Sequence, residues 1–259
     1  MALSVWATAV VCFFVFLAGF VDSAAGGGGL ISLPAYLFVG LPGHYALGCN
    51  KFSAACGSTF AALRFLKKGA LEWKIALISA FFAFFASFAG TKVILLVNQE
   101  KVKLAVVVIV PLMAIVIMAK KNIGSDNHAH TLSRKKAYFF AALIGSCIGF
   151  YDGLIGPGSG TICIILYCAW MKYDLKTAVG NAKILGFASN YASTIAVILS
   201  GKVIYSIAVP AALCGIVGNY LGAGLALKKG AAFIRPLMLV VLGLLFAKLF
   251  YDVFGHMLF

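Results

Sequence analysis

Charge is what this chain of 259 residues has least of: only 11% of its residues are charged, and only 7 are acidic. With 63% hydrophobic residues and a mean hydropathy of +1.04, it lacks the polar surface needed to wrap a water-soluble core. A soluble enzyme or binding domain is thereby excluded. The sequence also lacks HExxH, G-x-S-x-G, a P-loop, C-x-x-C pairs and any His/Cys cluster, so no catalytic residue, metal or cofactor is expected. His128 and His130 form an H-x-H within a polar stretch and read as a solvated loop. The seven cysteines are odd in number and fall mostly within apolar runs, which fits buried or lipid-facing thiols better than a disulfide framework.

Apolar runs of about 18 to 25 residues, the length that crosses roughly 30 Å of hydrocarbon, recur along the whole chain. The expected fold is an all-α polytopic membrane protein. The first run, 3 to 20, has no basic flank or cleavage site and reads as a retained helix rather than a signal peptide. The formal charge of +14 sits mainly in short loops between apolar runs. Membrane topogenesis, lipid headgroups or an anionic solute explain that placement better than nucleic acid does.

The chain repeats itself. Gly19-Phe20-Val21-Asp22 returns as Gly149-Phe150-Tyr151-Asp152, each followed by a glycine-rich break. After a two-residue indel the match resumes at a shift of 132, aligning ALGCNK (46 to 51) with AVGNAK (178 to 183). Two homologous halves are expected, 1–119 and 137–259, joined by a polar cytoplasmic linker at 120–136. Each half reads as a broken segment (3 to 40; 137 to 171) followed by three longer helices (45 to 66, 71 to 97 and 102 to 119; 175 to 199, 203 to 227 and 231 to 254). Hydropathy alone reports about eight segments. Placing the basic loops Arg64 to Lys68, the linker, and Lys228, Lys229 and Arg235 on the cytoplasmic side makes the halves inverted repeats. A parallel repeat is the second choice, because it puts the last of these loops outside.

AGGGG (25 to 29) and GPGSG (156 to 160) interrupt apolar helices. Irregular backbone survives in a bilayer only where protein covers it or a polar cavity wets it. Glycine permits positive φ and leaves room beside the backbone, and the N–H groups of a restarting helix attract anions. The alternative is that the glycines serve close helix packing. Asp22 and Asp152 precede the two breaks, whereas Glu72, Glu100, Asp126, Asp174 and Asp252 lie in loops or near helix ends. A charge near the bilayer centre costs about 2.5–3.5 kcal/mol on insertion scales, so a symmetric pair calls for a reason. Two readings stand side by side: a carrier of the coupling proton or cation, and a helix N-cap. A second constellation, Asn50, Lys51 and Ser53 with Asn181, Lys183 and Asn190, offers charge and hydrogen bonds to an anion. Its alternative is lysine snorkelling toward the headgroups. Ser87 and Asn219, repeat partners, read as interhelical hydrogen bonds, and FFAFFASF (81 to 88) as lipid-facing and packing surface.

VDSAAGGGGLISLPA, ALGCNKFSAACGS, GFYDGLIGPGSG, NAKILGFASN and SGKVIY resemble the sulfite exporter TauE/SafE family over nearly the whole chain. That resemblance implies a multi-pass protein of the bacterial inner membrane that moves a small anion, such as sulfite or an organosulfonate, on an ion gradient. Members of that family commonly carry threonine where this chain has Cys49. The expected site comprises Gly26, Gly27, Gly28, Gly29, Asn50, Lys51, Ser53, Gly156, Gly158, Ser159, Gly160, Asn181, Lys183 and Asn190 for substrate, with Asp22 and Asp152 for ion coupling. The expected partners are a small anionic substrate and membrane lipids, with a homodimer compatible and nucleic acid not expected. An anion channel on the same backbone sites, a membrane enzyme and a non-transporting assembly subunit are the rival readings.

Overall fold

The computed structural model describes residues 5–96, 127, 132–234, 236, 237, 239, 240 and 243. Its elements are helices: α1 (Val5–Ala25), α2 (Gly29–Phe38), α3 (Gly43–Lys67), α4 (Trp73–Leu96), α5 (Arg134–Leu154), α6 (Ser159–Met171), α7 (Leu175–Leu199) and α8 (Tyr205–Lys229). Among the described residues there is no strand. Five helices, α1, α4, α5, α7 and α8, are long and apolar enough to cross a membrane, which fits a multi-pass protein. The expected segment 102 to 119 and His128 and His130 lie outside the described residues. Of the expected 231 to 254, residues 231–234 are helical and most of the remainder is likewise outside.

α3 has the length of a span but not its composition, because its buried residues include Asn50, Lys51, Ser53 and Ser58. Its polar side faces protein. The opposite arrangement holds on α4, where Phe81 and Phe85 are 61% and 60% exposed, as a lipid-facing surface requires.

Both expected broken segments are broken at their glycines. Gly26 and Gly27 have φ of +73° and +92°, and Gly156 and Gly158 have +87° and +81°, conformations that L side chains rarely adopt. At each break the chain turns back on itself. Tyr36 and Leu41 join Val11 and Val15 in one apolar cluster, so α2 returns along α1. Phe140 of α5 meets Trp170 of α6 at 5.8 Å between ring centres, so α6 returns along α5. The 10 residues of α2 reach only about 15 Å, half the hydrocarbon thickness.

Three of the first four helices pack chiefly on helices of the second half, α1 on α8, α4 on α5 and α7, and α3 on α7 and α8, while α2 and α6 pack mainly within their own halves, α2 against α1 and α3 and α6 against α5 and α7. Glycines set these approaches. A Cβ at Gly149 would come within 2.6 Å of Ala83 Cα, and one at Gly218 within 2.1 Å of the Phe16 carbonyl oxygen. Small residues thus let backbones meet where lipid supplies no hydrophobic drive between helices. The two breaks also meet each other, since a Cβ at Gly26 would lie 2.3 Å from the Gly160 carbonyl carbon.

Candidate functional site

Asp22 lies in the last turns of α1, next to the break, and one of its carboxylate oxygens accepts from the Gly28 N–H at 3.1 Å. Its other oxygen accepts from Lys183 of α7 at 2.9 Å, and the same ammonium donates to the Asp22 carbonyl. The second half mirrors this. Asp152 of α5 accepts from Lys51 of α3 at 3.0 Å, and Lys51 also donates to the Asp152 carbonyl at 2.5 Å. Each lysine therefore pairs with the aspartate of the other half. The side chains of Lys51 and Lys183 are 2% and 5% exposed, so the ammonium groups do not snorkel to the surface.

A buried ion pair holds only where hydrogen bonds offset the lost hydration. Asp152 has Ser159 Oγ at 2.7 Å and the Ser189 hydroxyl as further donors. Asp22 has the Gly28 N–H, just ahead of α2, and an ion pair as well, whereas Asp152 accepts from no backbone N–H among the described residues, so the cap expected of both aspartates has a counterpart only at Asp22.

Between the pairs lies a cavity of about 80 Å³. The breaks contribute Gly27, Gly28, Gly29, Gly156, Ser159 and Gly160 to its wall, α3 contributes Asn50, Lys51 and Ser53, and α7 contributes Lys183 and Asn190. Asp22 and Asp152 line it too. Gly26, Gly158 and Asn181 do not. Gly26 and Gly158 shape the turns that carry the wall. Asn181 instead accepts from the Glu72 N–H at 2.9 Å, ahead of α4.

The repeat partner of Asn181 is Cys49, and it does the same work on the other side. Its Sγ accepts from the Ile204 N–H at 3.3 Å, at the start of α8. Position 49 thus ties α3 to a helix terminus of the opposite half and takes no place on the cavity wall. A threonine hydroxyl offers an acceptor there too.

Three polar residues not expected at the site belong to it. Ser32 of α2 lines the cavity and donates to Asn50 Oδ1 at 2.6 Å. Ser189 holds Asp152. Asn219 lines the cavity and donates to the Gly215 carbonyl of its own helix at 2.9 Å, leaving a buried carbonyl oxygen with no partner among the described residues. That corrects the interhelical bond expected of Asn219. Ser87 does make one, to the Ser189 carbonyl at 2.9 Å. Among the described residues no group of three His, Cys, Asp or Glu is placed to hold a metal.

The family model described as sulfite exporter TauE/SafE matches residues 11–249. The chain belongs to the TauE/SafE family. Relatives in that family include a probable membrane transporter protein of Haemophilus influenzae, 32% identical over 237 residues and 92% of each chain. The probable membrane transporter protein YfcA of Escherichia coli K12 is 30% identical over 247 residues, 95% of this chain and 91% of YfcA. A probable membrane transporter protein of Bacillus subtilis, YdhB, is 25% identical over 82% of this chain and 89% of its own. No solved structure matches. The TauE/SafE chain described here is thus a multi-pass member of a family of probable membrane transporters.

Proposed function

We propose that this chain is a secondary transporter that moves a small anion, sulfite or an organosulfonate, across the bacterial inner membrane together with a proton. One observation carries the reading: the cavity is walled by residues of both halves, and two buried Asp–Lys pairs cross between them. Inverted halves with about eight hydrophobic segments and a re-entrant hairpin opening each half fit the reciprocal packing of α1 on α8 and α4 on α5. The two halves rock about the cavity to expose it to either side.

The electrostatics ask for coupling. Two lysines and two aspartates sum to no net charge, so an anion entering alone would leave an uncompensated charge in a buried site. A proton on one aspartate restores neutrality and releases its lysine to the anion. A monoanion, hydrogensulfite or a sulfonate, and a proton then cross as a neutral load, so the two concentration gradients set the direction, outward when the anion accumulates inside. Amide and hydroxyl donors of Asn50, Ser53 and Asn190 and the backbone of the breaks complete the anion's shell.

The test is flux of sulfite and methanesulfonate into proteoliposomes under an imposed pH gradient. The reading expects saturable, protein-dependent flux that follows the pH gradient. Ion flux far faster than alternating access permits would make the protein a channel, and no flux for any small anion would remove the transport reading. Asp22→Asn and Asp152→Asn both leaving pH-driven flux intact would remove the coupling role.

A further inference from the structure

The two Asp–Lys pairs stand at repeat-equivalent positions, yet their surroundings differ. Asp152 accepts from Lys51, Ser159 and Ser189, and its side chain is 10% exposed. Behind Ser189 the hydroxyls of Ser87, Ser193 and Thr91 bond to one another at 2.8–2.9 Å, and all four residues are buried. The cluster ends on the Gly153 carbonyl, not on solvent. The shift of 132 maps Ser189, Ser193, Ser87 and Thr91 onto Gly57, Ala61, Asn219 and Ala223. Among the described residues Asp22 therefore has no hydroxyl cluster. It keeps Lys183 and the Gly28 N–H, and its side chain is 31% exposed.

The amides collect on that barer side. Asn219 sits against Gly19, one turn before Asp22, with its carbonyl oxygen buried and unpartnered among the described residues. Asn50 has given its oxygen to Ser32, so its NH₂ group is what it has left to offer the cavity. We propose that the cavity is a one-sided anion site, in which a small oxyanion binds Lys183 beside Asn50 when Asp22 takes up a proton, while the Lys51–Asp152 pair stays closed as a structural clamp. This rests on the anion-transport reading and assigns its parts.

The step is an exchange of partners. A proton from solution adds to a carboxylate oxygen of Asp22, the charge-assisted bond to Lys183 weakens, and the anion takes the vacated place. Lys183 keeps its charge, and the site stays neutral. Protonating Asp152 would instead withdraw one buried acceptor from a lysine and two hydroxyls at once.

The other titratable groups on the cavity wall are Lys183 from α7, Lys51 from α3 and Asp152 from α5. The remaining helices against α1 bring Tyr36 of α2, whose hydroxyl donates to Ser53, the thiols and Tyr167 of α6, and Cys214 of α8.

The experiment is thermal-shift titration of the purified full-length protein with methanesulfonate, whose charge is constant across an acidic-to-neutral pH series. One-proton linkage gives wild-type affinity a rise of up to about tenfold per pH unit toward acid. Asp22→Asn, a mimic of the protonated acid, binds at the acid-limit affinity at every pH. Asp152→Asn/Lys51→Met melts lower and keeps the pH dependence, whereas Asp22→Asn/Lys183→Met folds and loses the anion response. Pairing the substitutions keeps each variant neutral, so misfolding does not mimic loss of binding. Retained pH dependence in Asp22→Asn, or its loss in Asp152→Asn/Lys51→Met, overturns the one-sided assignment while leaving anion binding standing. No wild-type response at any pH overturns the anion reading and this assignment with it.

Discussion

Lys183 reaches across the interface between the halves to Asp22 at 2.9 Å, and Lys51 makes the equivalent reach to Asp152 at 3.0 Å. Neither half satisfies its own charges. Each aspartate takes its buried cation from the partner half, so the pairs report directly on how the halves sit together.

Breaking the more enclosed pair one-sidedly is the severe case. Lys51→Met strands Asp152 without its cation and should cost about 3–5 kcal/mol, whereas Asp152→Asn/Lys51→Met should recover most of that loss. Melting temperatures of the two variants in one detergent check this. Lys183→Met should cost less than Lys51→Met, because Asp22 is 31% exposed against 10% for Asp152.

Asn181 is a structural residue, and its loss should separate stability from binding. Asn181→Ala leaves the part-buried Glu72 N–H without its acceptor, at about 0.5–1.5 kcal/mol. The anion-induced rise in melting temperature should persist in the variant. Cys49→Thr should keep wild-type stability through a hydroxyl acceptor for the Ile204 N–H, and Cys49→Val should lose it.

Two glycines predict opposite outcomes. Gly26→Ala puts a Cβ 2.3 Å from the Gly160 carbonyl carbon at a φ of +73°, and the protein should fail to fold. Gly186→Ala, on the cavity wall inside α7, meets no atom within 4 Å among the described residues. It should gain up to about 1 kcal/mol of helix propensity and bind a larger organosulfonate less well than sulfite. Competition binding with anions of graded size reads the second effect.

Asp22→Asn should uncouple transport without closing the site. Anion-for-anion exchange across proteoliposomes should continue, while accumulation driven by a pH gradient should stop. Measuring both fluxes on one preparation separates lost coupling from lost folding.

The helices, the glycine breaks and the charged residues were legible because they are local features: apolar length, residues permitting positive φ, acids in apolar runs. Asn181 was misplaced beside Lys183 because the two are neighbours in sequence but not on a helix face. Two residues along a helix are about 200° apart, so Asn181 turns away from the cavity that Lys183 lines. Gly186 and Asn190, three and seven residues beyond Lys183, share its face and do line the cavity. The partner of each lysine was not legible at all. The pairs run between halves, and which α1 residue meets which α7 residue depends on packing that no local pattern encodes. Asn219 was hidden by its repeat partner, since Ser87 does bond across helices and Asn219 bonds within its own.

The most direct measurement is the number of protons that move with each anion, from simultaneous recording of internal pH and methanesulfonate uptake in proteoliposomes, with the membrane potential clamped at different values. The neutral charge of the Asp–Lys tetrad predicts one proton per monoanion and a rate indifferent to the potential. Uptake that carries net current and moves no proton would contradict the account.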